Sequence, residues 1–307
     1  MHSGDRPNMS NRYTFSVIGG DRRQVIIIKN LLNSGHSVKV FGINAPLTDI
    51  SGAELSSSVE KAIEGCDVLL LPLPVSRDNC HINLISPPQT ATINEIIKSC
   101  SKNENSCIVG GIIPDEMLNL AHRSFIDVFD FYKCESLQEK NALPSAEGAI
   151  MIAMENTDRV IDGMKVLVSG YGRIGKLLAN RLKSLGASVS VAARRAESLC
   201  EIAMEGFDPI DIGDIDQMSK TFNECDVILN TVPKQIFTKQ IIDNSKMSPL
   251  YIEIASSPGG IDIPSARIRG IQIIFAPSIP GKYAPSSAGE YIFETVRDIL
   301  AQRGMNI

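Results

Sequence analysis

The stretch Lys165-Val166-Leu167-Val168-Ser169-Gly170-Tyr171-Gly172-Arg173-Ile174-Gly175 decides the fold. A short apolar strand ends in Gly-x-Gly-x-x-Gly, and a helical pattern over 173–185 follows at once. Strand, glycine turn and helix in that order are the opening of a dinucleotide-binding βαβ unit. Each glycine has its own reason. Gly170 makes the tight turn, Gly172 lets a pyrophosphate approach the backbone, and Gly175 lets the helix pack on the strand. The first helical turn, with Arg173 and Ile174, presents unpaired N–H groups and a partial positive charge to phosphates.

Outward from this unit, the pattern predicts strands over 188–192, 226–230, 251–254 and 271–275, with helices over 197–205 and 287–303. The first half repeats the plan. A strand over 14–18 ends at Gly19-Gly20-Asp21, a helix follows over 22–33, and strands over 37–41, 68–71, 107–109 and 125–129 alternate with helices over 91–101 and 115–123. Such alternation means parallel sheets. At 307 residues the chain is long enough for two domains of about 150 residues each. The expected fold is therefore α/β, with two Rossmann-like doubly wound parallel-sheet domains facing a cleft, similar to the 2-hydroxyacid dehydrogenase architecture. The expected domains are 12–144, flavodoxin-like, and 145–307, NAD(P)-binding and carrying the last helix. The boundary is placed near Pro144, with a helix over 146–156 as connector. One fragment recurs: Glu64-Gly65-Cys66-Asp67-Val68-Leu69-Leu70-Leu71-Pro72 resembles Glu224-Cys225-Asp226-Val227-Ile228-Leu229-Asn230-Thr231-Val232-Pro233.

Composition excludes several classes. Hydrophobic residues at 43% supply ample surface for a core, which rules out a disordered or fibrous chain. A net charge of −5 without Lys/Arg runs gives no footprint for nucleic acid or an anionic membrane. The longest apolar stretch, 68–75, is broken by Pro72 and Pro74 and is too short to span a bilayer. Residues 1–11 are polar and lack the apolar segment of a secretory signal, so a cytoplasmic location is expected. The seven cysteines form no Cys-x-x-Cys and read as reduced core thiols, and no spacing suits a metal.

The residues after the second strand of the fingerprint unit select the dinucleotide. An NAD site usually has Asp or Glu there, whereas this strand runs into Ala193-Arg194-Arg195 with no acid before Glu197. A guanidinium grips a 2′-phosphate that a carboxylate would repel. NADP is therefore expected, NAD remaining possible, with Arg194 or Arg195 on the 2′-phosphate. Thr231, Val232 and Pro233 follow the fourth strand and are expected beside the nicotinamide ribose. Ser257, Gly259 and Gly260 follow the next strand, and their small size is expected to leave backbone N–H groups free for a carboxylate. No histidine lies beyond His122, and the fifth strand is followed by Ala255-Ser256 rather than by Ala-Arg. The proton donor and anion-binding Arg of an ordinary 2-hydroxyacid dehydrogenase are thus missing from their places. His36 reads as a turn residue.

Several loops together carry a resemblance. They are Gly19-Gly20-Asp21-x-Arg23-Gln24, Leu71-Pro72-Leu73-Pro74-Val75-Ser76 and Pro144-Ser145-x-Glu147-Gly148, then Ser257-Pro258-Gly259-Gly260, and Ala276-Pro277-Ser278-Ile279-Pro280-Gly281 through Ala284-Pro285-Ser286-Ser287-Ala288-Gly289. With the fingerprint, they make the chain resemble the dipicolinate synthase A-subunit family of spore-forming bacteria over about residues 14–300. The resemblance implies a pyridine-nucleotide-dependent oxidation of dihydrodipicolinate or hydroxytetrahydrodipicolinate to dipicolinate. It also implies the flavoprotein-like dipicolinate synthase B-subunit for a partner, with self-association possible, and action in the mother cell during sporulation. Gain of aromaticity drives such a step, so holding two carboxylates matters more than acid–base help. The candidate anchors are the backbone at 257–260, Ser286 and Ser287 at the start of the last helix, and the side chains of Arg23, Arg77 and Lys282. Where the family often has a lysine this chain has Ser286, so no lysine anchor is expected there. Glu147 is the candidate base, its alternative being an acid in the first turn of a helix.

Overall fold

The computed structural model describes residues 12–43, 46–84, 89–103 and 106–307; the polar stretch 1–11, from which location was read, lies outside them. The chain divides into two compact units. One holds the described residues up to Lys140 together with Pro285–Ile307, and the other holds Asn141–Ala284.

The first unit runs β1 (Thr14–Ile18), α1 (Arg22–Asn33), β2 (Ser37–Phe41), β3 (Glu54–Leu55), α2 (Val59–Ile63), β4 (Val68–Leu70), α3 (Ile93–Cys100), β5 (Cys107–Gly110), α4 (Asp115–Arg123) and β6 (Asp127–Asp130). Its sheet is parallel, in the order β3-β2-β1-β4-β5-β6. Helix α5 (Glu135–Glu155) leads into the second unit. There follow β7 (Lys165–Ser169), α6 (Arg173–Ser184), β8 (Ser188–Ala193), α7 (Ala196–Met204), β9 (Asp208–Asp211), α8 (Ile215–Glu224), β10 (Val227–Asn230), α9 (Lys239–Asp243), β11 (Leu250–Glu253), α10 (Ile263–Ile268), β12 (Ile273–Phe275) and α11 (Ile279–Tyr283). The second sheet is also parallel, in the order β12-β11-β10-β7-β8-β9. Both are doubly wound Rossmann-like sheets, as expected.

Both faces of each sheet are covered, which is why the strands read as continuous apolar runs. Val166 and Val168 of β7 enter one core while Leu167 enters the other. Phe15 and Val17 of β1 are divided from Ile18 in the same way. The recurrent Cys-Asp-Val fragment has a shared structural task. Asp67, just before β4, accepts the backbone N–H of Thr14 at 2.7 Å and donates its own N–H to the Thr14 carbonyl at 2.8 Å. Asp226, just before β10, does the same to Lys165 at 2.8 and 2.9 Å. Each aspartate fixes the register between the first strand of its sheet and the fourth. The preceding thiols, Cys66 and Cys225, are buried, and burial pushes each up to about 12. Cys80 and Cys200 depart from the expectation of core thiols, being exposed.

Four expectations are corrected. The five longer strands of the first sheet follow the flavodoxin order, but the two-residue β3 adds a sixth at the edge and makes the order that of the Rossmann fold. Helix α5 begins at Glu135, eleven residues before the expected start at 146, and runs through Pro144. The unit boundary falls inside this helix. Phe125 takes φ 55° as a turn residue, so β6 starts at Asp127. The last helix, α12 (Pro285–Ala301), belongs to the first unit and packs along α1 rather than closing the second domain. Gly289 makes that contact possible, because a Cβ there would stand 2.7 Å from Ile26 Cβ and 2.8 Å from the Arg23 carbonyl oxygen. Among the described residues no helix is long and apolar enough to cross a membrane, and no group of three or more His, Cys, Asp or Glu could hold a metal.

This packing has two consequences for stability. Gly289→Val forces α12 off α1 and lowers unfolding free energy by about 1–3 kcal/mol, read from urea denaturation; an unchanged midpoint contradicts the packing. His36 is 4% exposed, accepts the Tyr13 N–H at Nδ1, and among the described residues has no partner at Nε2. Burial lowers its pKa below 6.5, so the unfolded chain takes up the proton first as pH falls. The stability held above that pH is then lost on acidification toward the folded-state pKa. His36→Asn keeps an acceptor for Tyr13 and is expected to flatten the urea midpoint between pH 7 and pH 5.5 relative to the parent.

Candidate functional site

The second unit builds one site from the carboxyl ends of β7, β8 and β10, at the point where the strand order reverses. Gly170 holds φ +97°, and a Cβ on it would lie 2.3 Å from Thr231 Oγ1. The Thr231 hydroxyl in turn donates to the Ser169 carbonyl at 2.7 Å, which ties the loop after β10 to the end of β7. A Cβ on Gly175 would stand 2.0 Å from the Gly170 carbonyl oxygen, so α6 sits against the turn as closely as a backbone allows. Gly172, the N-cap of α6, differs from both. A Cβ there meets nothing, and no side chain caps the helix, whose first amides are those of Arg173, Ile174 and Gly175.

A cavity of about 560 Å³ opens in front of this turn. Gly170, Tyr171 and Gly172 form one side, and Val232, Pro233 and Lys234 another. Ile212, Ile215, Ile236 and Ile241 supply an apolar lining suited to a flat ring. Arg194, Arg195 and Ser198 stand at the end of β8 and the start of α7. Among the described residues the cavity is lined by three basic side chains and no carboxylate. Among the described residues neither Arg194 nor Arg195 has an ion-pair partner. These features fit a dinucleotide and its phosphates: open space at Gly172, uncapped amides, an apolar slot and cations without an ion-pair partner among the described residues. Ser198 and Lys234 were not picked out by the sequence reading. Ser198 lies one helical turn beyond Arg194, a spacing that could have signalled it.

The first unit has the same strand–turn–helix but uses it differently. The turn after β1 is filled by the chain itself. A Cβ on Gly19 would meet Leu84 at 2.6 Å and the Asn83 carbonyl at 2.9 Å, and one on Gly20 would meet Gln24 at 2.4 Å. The Asn83 carbonyl accepts the Gly20 N–H, and the Asp21 carboxylate caps α1 through the Arg23 N–H. A plugged turn with a carboxylate at the helix start does not suit a phosphate.

The expected substrate anchors are divided between the units. In the first, Arg23 is 7% exposed and is held by Asp21 through two bonds of 2.8 Å, with a third to the Leu73 carbonyl at 2.6 Å. Its charge is thus already matched inside the fold. Arg77 is exposed, next to an Asp78 carboxylate that His81, Cys80 and Ser76 donors hold well below its usual range. Ser286 is exposed and Ser287 half-buried in the first turn of α12. In the second, Lys282 is exposed on α11 and Ser257 is exposed after β11. The expected free amides are not free: Gly259 N–H donates to the Ser256 carbonyl at 3.1 Å and Gly260 N–H to Glu253 at 2.7 Å. The glycines serve a buried carboxylate, whose only sequence signal is the single acid ending the apolar strand β11. Glu147 lies midway along α5, not in a first turn, and is exposed and paired with Arg181 at 3.3 Å.

Residues 14–132 match the model of the N-terminal domain of the dipicolinate synthase A-subunit, and residues 136–251 match the NAD binding domain of D-isomer specific 2-hydroxyacid dehydrogenases. The dipicolinate synthase A-subunit of Bacillus subtilis is 27% identical over 288 residues, covering 94% of this chain and 95% of the relative. The crystal structure of the Bacillus halodurans A-subunit superposes with a TM-score of 0.82 at 27% identity, covering 95% of this chain and 99% of that one. The Bacillus subtilis structure gives 0.81 at 26% identity, covering 97% and 98%. The resemblance carried by the loops therefore holds over nearly the whole chain, and the second unit is a dehydrogenase-type domain for a nicotinamide dinucleotide.

Gly172→Val tests the site without disturbing the fold. The side chain enters open space, so stability is expected to change by less than about 0.5 kcal/mol, while dinucleotide affinity by calorimetry falls at least about tenfold. Unaltered affinity in a folded variant would place the nucleotide elsewhere.

Proposed function

We propose, from the likeness to the A-subunit of dipicolinate synthase, that this chain catalyses the NADP-dependent oxidation of a dihydrodipicolinate ring to dipicolinate. With hydroxytetrahydrodipicolinate as the starting compound, loss of one water gives the dihydro ring first. Removal of a hydride and a proton from that ring leaves the aromatic pyridine-2,6-dicarboxylate, so the overall change is one two-electron oxidation. When bound, the oxidised nicotinamide supplies the hydride acceptor. The chain's own residues hold the phosphates at the start of α6, fix the 2′-phosphate at Arg194, Arg195 and Ser198, and keep the far wall of the cavity apolar. The observation that carries the NADP reading is the lining of that cavity, which among the described residues has three cations and no carboxylate. Ser257, Lys282, Arg77, Ser286 and Ser287 remain the candidates for the substrate carboxylates. The same reading puts the reaction in the mother-cell cytoplasm of a sporulating bacterium, with the flavoprotein-like B-subunit of the synthase for a partner.

A second reading has a specific observation in its favour. Arg23 is closed onto Asp21 and Glu147 onto Arg181, so two of the groups expected to act on substrate are engaged within the fold. A dinucleotide-binding subunit whose chemistry needs the B-subunit would have such a site. Purified chain with freshly generated hydroxytetrahydrodipicolinate and NADP separates the two: dipicolinate and NADPH in equal amounts without the B-subunit support the self-sufficient enzyme. Product only with the B-subunit present supports the second reading.

The cofactor preference has its own test. Replacing both Arg194 and Arg195 by Ala is expected to weaken NADP binding about 10–100-fold, the range for losing charge-assisted hydrogen bonds. NAD affinity should stay within about threefold, since it lacks the 2′-phosphate. Equal losses for both nucleotides would contradict the assignment.

A further inference from the structure

Glu253, the last residue of β11, is a buried carboxylate with no cation beside it. It is 4% exposed, and among the described residues no Lys or Arg pairs with it. Four neutral donors surround it instead. Oε1 accepts the Asn230 side-chain amide at 2.7 Å and the Ala255 N–H at 3.1 Å. Oε2 accepts the Tyr251 hydroxyl at 3.1 Å and the Gly260 N–H at 2.7 Å. Burial, with the carboxylate beside it, pushes the Tyr251 phenol well up, so it remains a donor.

These donors belong to segments that shape the dinucleotide cavity. Asn230 is fully buried, and its amide bonds both ways to Val232: Nδ2 donates to the carbonyl at 3.0 Å and Oδ1 accepts the N–H at 3.2 Å. The carbonyl of Gly260 accepts the N–H groups of Ile236 and Phe237, each at 2.9 Å. Val232 and Ile236 both line the cavity. Two relays, Glu253–Asn230–Val232 and Glu253–Gly260–Ile236, therefore join one carboxylate to one wall. The glycine pair is shaped for it. Gly259 has φ +84°, with its Cβ position 2.8 Å from Glu253 Oε2, and a Cβ on Gly260 would lie 2.4 Å from Asn230 Nδ2. A buried polar network of this kind specifies a unique arrangement only while every member is satisfied.

We infer that Glu253 is a positioning residue for the nucleotide site, holding the 232–236 wall in binding geometry through Asn230 and Gly260. The inference rests on the dinucleotide reading of the cavity. Glu253→Gln keeps the shape but turns one acceptor into a donor facing two donors.

Titration of the whole chain with NADP and with NAD at 20 °C, beside a thermal melt, tests it. Glu253→Gln is expected to bind both nucleotides at least tenfold more weakly, with the ratio of the two affinities unchanged because Arg194 and Arg195 are untouched. Met218→Ala, which opens the same core at a residue that neither lines the cavity nor bonds to a relay member, should lower the melting temperature while leaving both affinities within twofold. Should Glu253→Gln not fold, Asn230→Ala cuts one relay only and is expected to weaken both nucleotides at least fivefold. Affinities within twofold of the parent in a folded relay variant, with only the melting temperature lowered, overturn the inference and leave Glu253 a structural residue. A parent chain that binds neither nucleotide overturns the cavity reading, and this inference with it.

Discussion

Helix α6 approaches the end of β7 so closely that Gly175 has no room for a methyl group against the Gly170 carbonyl. The rest of the candidate site depends on that approach. It brings the uncapped amides of α6 to the carboxyl edge of the sheet and leaves the space in front of Gly172 open. The loop after β10 is drawn against the same turn by Thr231, which bonds to Ser169. From there Asn230 and Glu253 carry the constraint outward to the 255–260 loop. A cavity wall, a glycine turn and a buried carboxylate thus form one connected unit.

The two halves of the chain share a strand order and put it to different uses. Each sheet runs 3-2-1-4-5-6, and each registers its first strand against its fourth through an aspartate, Asp67 or Asp226. At the turn after the first strand they part. The first unit fills the turn with Asn83, Leu84 and Gln24 and sets the Asp21 carboxylate at the helix start. The second leaves the turn open and adds Arg194, Arg195 and Lys234. A doubly wound sheet offers a ligand site at this crevice, but the side chains decide whether it is kept. Similarity of fold alone would have assigned two sites.

Much of the fold was legible because buried parallel strands are apolar on both faces and glycines mark their ends. β1, α1, β2, α4 and β7 match their expected bounds residue for residue. The misses have physical causes. β3 is two residues long and exposed, and β9 has only Pro209 and Ile210 between two aspartates, so neither carries a clear apolar run. The expected boundary lies near Pro144, with a helix starting only at 146; α5 runs through that proline although it lacks the N–H for the bond to the preceding turn, with Ser145 bonding back to the Asn141 carbonyl at 2.7 Å. Of the candidate cavity's lining, the glycines of the fingerprint and the arginines after β8 were legible in the sequence. The candidate site was misread where partners come from afar in sequence. Arg23 looked like a free cation, and the amide of Gly260 looked available. Asp21 and Glu253 engage them, and only the folded chain brings Glu253 and Gly260 together.

Of two glycine turns, one open turn is proposed to hold the nucleotide. A crystal structure of the chain grown with saturating NADP tests it most directly. One nucleotide per chain is expected, its pyrophosphate at Gly172 and its 2′-phosphate within hydrogen-bond reach of Arg194, Arg195 or Ser198, with nothing at Gly19 and Gly20. A nucleotide seated at Gly19 and Gly20, or a 2′-phosphate turned away from both arginines, would contradict it.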